Sequence, residues 1–166
     1  MQQWKQLKRL LPLYFRKGKI QLSRIYLAHP ITALLADDVF RYYDGIGNAI
    51  SEQHICLSPM SGKDELRNVG TMERSYDASP VSNSHAIYER DMWMVATADI
   101  VLCDLTNSQN VSIGCCFELA VAAKLGKHVV IAMEDGNIHD HPFVREAADI
   151  IFPSLYDAVC YINDLP

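Results

Sequence analysis

Short runs of consecutive apolar residues alternate along the chain with longer segments whose apolar positions recur every three to four residues. The first run, 24–28, is Arg24-Ile25-Tyr26-Leu27-Ala28; it stops at His29-Pro30 and reads as a strand. Residues 36–52 carry Val39, Tyr42, Tyr43, Ile46 and Ile50 at helical spacing. A second strand is predicted over 54–57, ended by Ser58-Pro59. A helix over 84–98 then presents Ile87, Met94, Val95 and Ala98, and leads into the clearest buried strand, 100–105. The helix predicted over 112–125 is rich in Ala, Phe and Leu, and Gly126 follows it where a left-handed cap is expected. Strands over 128–133 and 149–152, a short helix over 142–148 and a terminal helix over 154–163, capped by Ser154, complete the series.

Strands alternating with helices predict a single-domain α/β fold, doubly wound, with a five-stranded and mostly parallel sheet covered by helices on both faces. The arrangement is flavodoxin-like or Rossmann-like, and right-handed crossovers place its functional loops at the carboxyl ends of the strands. Residues 1–22 lie outside the alternation and read as a helical extension, with Trp4, Leu7, Leu10 and Leu11 on one side, packed on the domain or a partner subunit, with a membrane-surface role as the lesser alternative. The domain itself is expected over 23–166. A polar stretch, 60–82, holds Gly62, Gly70, Pro80 and many charges; loops this long in compact domains are functional or mobile. Gly45-Ile46-Gly47 falls inside a helical pattern and lacks a third glycine, so it is no dinucleotide fingerprint.

Composition narrows the class of partner. The 166 residues fit one domain, and a core of that size buries about two-thirds of the unfolded chain's surface. Hydrophobic residues make up 49% and charged ones 21%, which excludes a wholly disordered chain. With 15 basic and 20 acidic side chains the net charge is -5, which argues against nucleic acid as the main partner. No apolar run approaches the roughly 20 residues of a membrane span. The apolar stretch from Leu10 to Phe15 is broken by Pro12 and followed by Arg16 and Lys17, a poor signal-peptide core. Five cysteines, two of them adjacent at Cys115 and Cys116, suit a reducing compartment. A soluble cytoplasmic domain is expected.

Three polar residues fall where such a domain holds its ligands: Tyr26 on the first strand, Asp91 on the helix before the third, and Glu118 on the helix after it. Glu118 is the most informative, because an acidic residue in an apolar core helix is costly unless paired or aimed into a cleft. His139, Asp140 and His141 lack a third, distant ligand motif, so no metal is expected. Cys115 and Cys116 read as small packing residues rather than reactive thiols. Lys63, Arg67 and Arg74 are either lid charges that touch phosphate or solvated loop charges, and the second reading is favoured. Asp104 ends the third strand, where response-regulator receivers carry their phosphorylated aspartate. However, His29-Pro30 stands where receivers have an acidic pair, and no lysine ends the fifth strand. A catalytically silent nucleotide-binding module is the alternative of another class.

The stretches Glu89-Arg90-Asp91-Met92-Trp93, Ala98-Asp99-Ile100-Val101-Leu102, Val111 to Leu119 and Leu125-Gly126-Lys127 together resemble the nucleoside 2-deoxyribosyltransferase family. They are equally similar to its relatives, the 2'-deoxynucleoside 5'-monophosphate N-glycosidases. Tyr26-Leu27-Ala28-His29-Pro30 resembles the first-strand motif, and Met133 to His139 the loop after the fourth strand. The resemblance implies a retaining double displacement on a 2-deoxyribosyl N-glycosidic bond. Glu118 matches the nucleophile that attacks C1', Asp91 the carboxyl that assists the leaving base, and Tyr26 the tyrosine that positions the nucleophile. Ser112 matches a position that is typically aspartate in the transferases, where it holds the 5'-hydroxyl, and serine in the monophosphate N-glycosidases, where it contacts the phosphate. An ordinary N-cap is its plainer role and fits both.

The same resemblance implies substrate contacts at His29, Gly114, Met133, Asn137 and His139, the last three in a loop that reaches into a neighbouring subunit's site. It therefore implies at least a dimer, working without a cofactor on a deoxynucleoside or deoxynucleotide and a free base. Cys115 and Ala120 depart from the threonine and glycine usual in the family, small-for-small changes that bear on packing or base choice. Transfer and hydrolysis share the first half-reaction, and both remain open at this point.

Overall fold

The computed structural model describes residues 22–166, so the predicted N-terminal extension lies almost wholly outside the described residues. The strands are β1 (Ser23–Ala28), β2 (His54–Leu57), β3 (Ile100–Asp104), β4 (His128–Ala132) and β5 (Ile150–Phe152). The helices are α1 (Ala36–Ala49), α2 (Ser84–Thr97), α3 (Ile113–Lys124), α4 (Pro142–Ala147) and α5 (Leu155–Asn163). A 3₁₀ turn, Asp64–Asn68, follows β2. All strand pairs are parallel and the order is β2-β1-β3-β4-β5. The chain therefore winds outward from β1 in one direction to β2, and in the other to β3, β4 and β5.

Alternation along the strands divides the core in two. Ile25, Leu27, Ile100, Leu102 and Val130 face one side with Val39, Phe40 and Ile46 of α1 and Ala158 and Ile162 of α5. Tyr26, Ala28, Val101, Cys103, Val129 and Ile131 face the other with Met94, Val95, Leu119, Ala122 and Val144 from α2, α3 and α4. A sheet covered on both faces needs strands without polar alternation, and every residue of β3 and β4 is buried. Each large side chain fully buried here contributes about 1.5–3 kcal/mol relative to exposure. Where β1 and β3 lie side by side, the loops leaving their carboxyl ends diverge and open a crevice.

Local chemistry sets the element ends. Ser154 Oγ accepts from the Asp157 N–H at 3.1 Å, and Gly126 caps α3 with a left-handed φ of +69°. α1 stops at Ala49 rather than at 52 because the Ser51 N–H is taken by Asn163 Oδ1 of α5 at 2.7 Å. The polar stretch 60–82 is a folded wall. Ala33 and Met72, Leu34 and Met72, and Ala36 and Gly70 pair through their backbones, and Met60, Leu66 and Met72 are buried in the α1 side of the core. Ser79 and Ser82 donate to Glu65 Oε1, and Arg90 of α2 reaches the carbonyls of Ser61 and Val81. No described helix is long and apolar enough to cross a membrane.

Candidate active site

Glu118 sits in the second turn of α3 and points inward, with 8% of its surface exposed. Tyr26, wholly buried on β1, donates its hydroxyl to Glu118 Oε1 at 2.8 Å. Burial pushes the Glu118 carboxyl up to about 7; the Asp91 charge adds to this, while the Tyr26 hydrogen bond and Lys63 oppose it. Asp91 lies on α2, which Asn83 starts by accepting from the Ala86 N–H at 2.9 Å. Burial lifts its carboxyl to about 6, against the pull of Lys63 and Arg90. Among the described residues, Asp91 Oδ1 and Tyr43 Oη are buried without a hydrogen-bond partner. Burial and the nearby carboxyl groups hold the Tyr26 and Tyr43 hydroxyls protonated; Tyr26 donates to Glu118, and the Tyr43 proton has no acceptor among the described residues.

These groups border a cavity of about 730 Å³ at the β1–β3 switch point, together with Ser112, Gly114 and His29. Ser112 caps α3: its Oγ accepts from the Cys115 N–H at 3.2 Å, leaving the hydroxyl proton to donate elsewhere. A Cβ on Gly114 would come to 3.9 Å from Ser112 Oγ, so the glycine leaves the helix start open. His29 stacks on Tyr42 at 4.0 Å, its Nδ1 3.0 Å from the Asp104 carbonyl oxygen.

Met133, Asn137 and His139 do not border this cavity. Met133 is buried in the core beneath α2 and α3. Asn137 donates to the Leu105 carbonyl at 2.7 Å and to Glu134 Oε1 at 3.0 Å. His139 is 2% exposed, and its Nε2 accepts from the Ser112 N–H at 2.8 Å. That assigns its proton to Nδ1, which faces Asn137 Oδ1 at 3.1 Å. Burial holds this imidazole below its usual range, in keeping with a neutral ring. Within one chain, then, the loop after β4 braces the start of α3.

Two residues had been read differently or passed over. Lys63, taken as a solvated loop charge, is 3% exposed and borders the cavity. Its sequence signal was the spacing of Met60, Lys63 and Leu66, which one 3₁₀-like turn brings to the same buried side. Arg67, by contrast, does lie at the surface, paired with Asp64 at 3.0 Å and set over the Phe40 ring. Tyr43 was read as part of an apolar stripe, which it is, but its hydroxyl reaches the neighbourhood of the carboxylates.

The remaining chemistry of the chain is structural. Asp104 is 2% exposed and accepts from Tyr42 Oη at 2.8 Å and from the Thr106 N–H and hydroxyl, which leaves no oxygen presented for phosphorylation. Cys115 is buried, and burial pushes the Cys116 thiol up, so neither is set up as a nucleophile. His141 caps α4 by accepting from the Phe143 N–H, and no three metal-ligating side chains come together among the described residues.

Fold and site define a doubly wound α/β protein whose switch-point crevice holds two buried carboxyl groups. The sequence matches the profile of the nucleoside 2-deoxyribosyltransferases over residues 25–150, and the chain belongs to that family. No curated protein sequence matches it. Among solved structures it is similar to a 2-deoxyribosyltransferase from Leishmania mexicana, with 19% identity, a TM-score of 0.55, and coverage of 86% of this chain and 97% of that one. It is also similar to a CMP N-glycosidase from Clostridium botulinum, with 11% identity, a TM-score of 0.51, and coverage of 84% and 97% respectively. At these identities the two structures show a shared fold.

Proposed function

We propose that the chain cleaves the N-glycosidic bond of 2'-deoxynucleosides or their 5'-monophosphates and transfers the deoxyribosyl group to another base. The observation that carries this reading is the hydrogen bond from Tyr26 to the buried Glu118, in one cavity with Asp91. Glu118 attacks C1', the C1'–N bond breaks, and Asp91 supplies or orients the proton that leaves with the base. The resulting deoxyribosyl ester is opened by a second base, with retention at C1'. The oxocarbenium-like transition state suits a pair of carboxyl groups held ~5 Å apart in retaining enzymes. One proton shared by the pair serves both roles, with Glu118 ionised and Asp91 protonated in the reactive form.

Ser112 favours a second reading, hydrolysis of a 5'-monophosphate. A neutral hydroxyl beside the amides that start α3 accepts a phosphate where an aspartate would repel it. The same site would release the base to water. Trp93, Ile113, Phe117 and Phe143 are exposed on the three helices of one sheet face, which supports an assembly of at least two copies. All five cysteines are free thiols, in keeping with a cytoplasmic setting.

Chromatography of deoxynucleosides and deoxynucleoside 5'-monophosphates, with and without a second free base, tests both readings beside a Glu118→Ala control. New nucleosides that require the second base and vanish in the control establish transfer. Free base from monophosphates alone establishes the hydrolase. No reaction from well-folded protein removes the catalytic reading.

A further inference from the structure

The wall formed by residues 60–82 drives a lysine into the cavity. Gly62 takes a left-handed φ of +71°, and the turn it makes puts Lys63 on the buried side with Met60 and Leu66. Arg90 fixes this turn to α2 through the Ser61 and Val81 carbonyls. A lysine this buried is ordinarily paired. Among the described residues, however, Lys63 closes no ion pair, and its ammonium donates no hydrogen bond. Lys63 borders the cavity that also holds both carboxyl groups, and among the described residues its Nζ is not one of the partnerless polar atoms sealed from solvent.

The charge that acts most on Lys63 is that of Asp91, ahead of Arg90, Glu65 and Glu118. Both residues line the one cavity, so the ammonium is coupled electrostatically to the carboxyl assigned to the leaving base. A 5'-phosphate, in the reading above, belongs at the Ser112 end of α3. We propose that Lys63 is a catalytic residue that hydrogen-bonds a carbonyl oxygen of the leaving base. The site would then favour bases with a carbonyl beside the glycosidic nitrogen, the 2-oxopyrimidines, over adenine. This rests on the proposed glycosidic cleavage and deepens it.

The chemistry is balanced without any added reagent. As Glu118 forms its bond to C1', the C1'–N bonding pair moves onto the base nitrogen and delocalises to the adjacent carbonyl oxygen. Lys63 keeps all its protons and stabilises that charge by a hydrogen bond, while Asp91 delivers the proton the base carries away. Adenine has no carbonyl to receive the ammonium, and the three donors then remain unpaired in a buried wall. A preorganised donor aimed at developing charge is typically worth 10²–10³ in rate.

The test compares the full chain with Lys63→Met and Lys63→Arg on 2'-deoxyuridine and 2'-deoxyadenosine, and on their 5'-monophosphates, with melting curves for each variant. The wild type should prefer deoxyuridine. Lys63→Met should lower the pH-independent kcat/KM for deoxyuridine on the order of 100-fold while leaving that for deoxyadenosine within about threefold, and Lys63→Arg should recover part of the loss; pH profiles separate this from the upward shift of both carboxyl groups that follows loss of the lysine charge. Active wild type with equal loss on both bases, or loss confined to the KM of the monophosphates, would overturn the role of Lys63 and leave the glycosidic reading intact. A wild type that prefers deoxyadenosine would also overturn it. A wild type that cleaves none of the four removes the glycosidic reading itself and this inference with it.

Discussion

The Tyr26 hydroxyl and Glu118 Oε1 lie 2.8 Å apart, 92 residues apart in the chain, and join strand β1 to helix α3 at the point where the sheet changes winding direction. Because the phenol is buried and protonated, the bond has one direction, from tyrosine to carboxylate, and it favours the ionised nucleophile. Tyr26→Phe should reduce kcat by roughly ten- to a hundred-fold, corresponding to about 1.5–3 kcal/mol for a bond to a charged group. KM should change much less. An unaltered kcat for Tyr26→Phe would remove the positioning role.

In the proposed mechanism the reactive form carries one proton on the pair, with Glu118 ionised and Asp91 protonated; it is the minor one-proton state, because Glu118 holds a proton more tightly than Asp91. Both carboxyl groups are lifted by burial, to about 7 and about 6, and they face Lys63, Arg90, Tyr26 and Tyr43. The pair should titrate as a unit, giving a bell-shaped kcat/KM with its maximum between about pH 6 and 7. Tyr26→Phe removes a donor to the Glu118 carboxylate and should move the basic limb, which Glu118 dominates, upward. A profile that is flat from pH 5 to 8, an interval of about three units spanning both groups, would contradict this.

Stability should answer to the same burial. Folded Glu118 holds its proton up to about 7, whereas the unfolded chain releases it near 4.5. The folded state therefore binds more protons in that window, and stability falls as pH rises through it. Glu118→Gln keeps an acceptor for Tyr26 and removes the buried charge. It should be more stable than the wild type at pH 8, by up to about 3 kcal/mol, and no more stable at pH 4. Urea denaturation at the two pH values measures the difference.

Ser112→Asp separates the two substrate readings. Aspartate caps a helix as well as serine does, so the fold should be retained. Placed beside a phosphate, like charges cost several kcal/mol, so cleavage of 5'-monophosphates should fall on the order of 100-fold or more. Cleavage of nucleosides should persist. Steady-state kinetics on a matched nucleoside and nucleotide decide the matter.

The fold was legible because each apolar run is bounded by residues with one conformational meaning. His29-Pro30, Ser58-Pro59 and Gly126 end elements where they were expected to, and β3 and β4 read as buried because each is apolar apart from one end residue, Asp104 and His128. Glu118 was legible for the converse reason, as a carboxyl in an apolar helix. Lys63 was legible only through its spacing with Met60 and Leu66, because that this side faces inward depends on a turn at Gly62 and on Arg90 holding the wall from another helix. Asn137 and His139 stood out as polar residues in a loop, but their partners, Leu105 and Ser112, are 32 and 27 positions away. Which of them faced a cavity and which were spent inside the loop was therefore set by tertiary contacts.

Those internal bonds have a measurable weight. Asn137→Ala would remove one of the donors to the Leu105 carbonyl and the acceptor of the His139 N–H and Nδ1, and should cost about 1–3 kcal/mol in denaturation experiments. A smaller loss would show that water replaces the amide.

The contact between the His139 ring and the Ser112 N–H makes the loop after β4 and the first turn of α3 inseparable as parts. A loop grafted from another protein without an acceptor at that place would leave the Ser112 amide unpaired and loosen the helix start that flanks the cavity. Redesign of this protein therefore has to exchange the two segments as a matched cassette, and libraries that vary one alone would sample mostly misaligned sites.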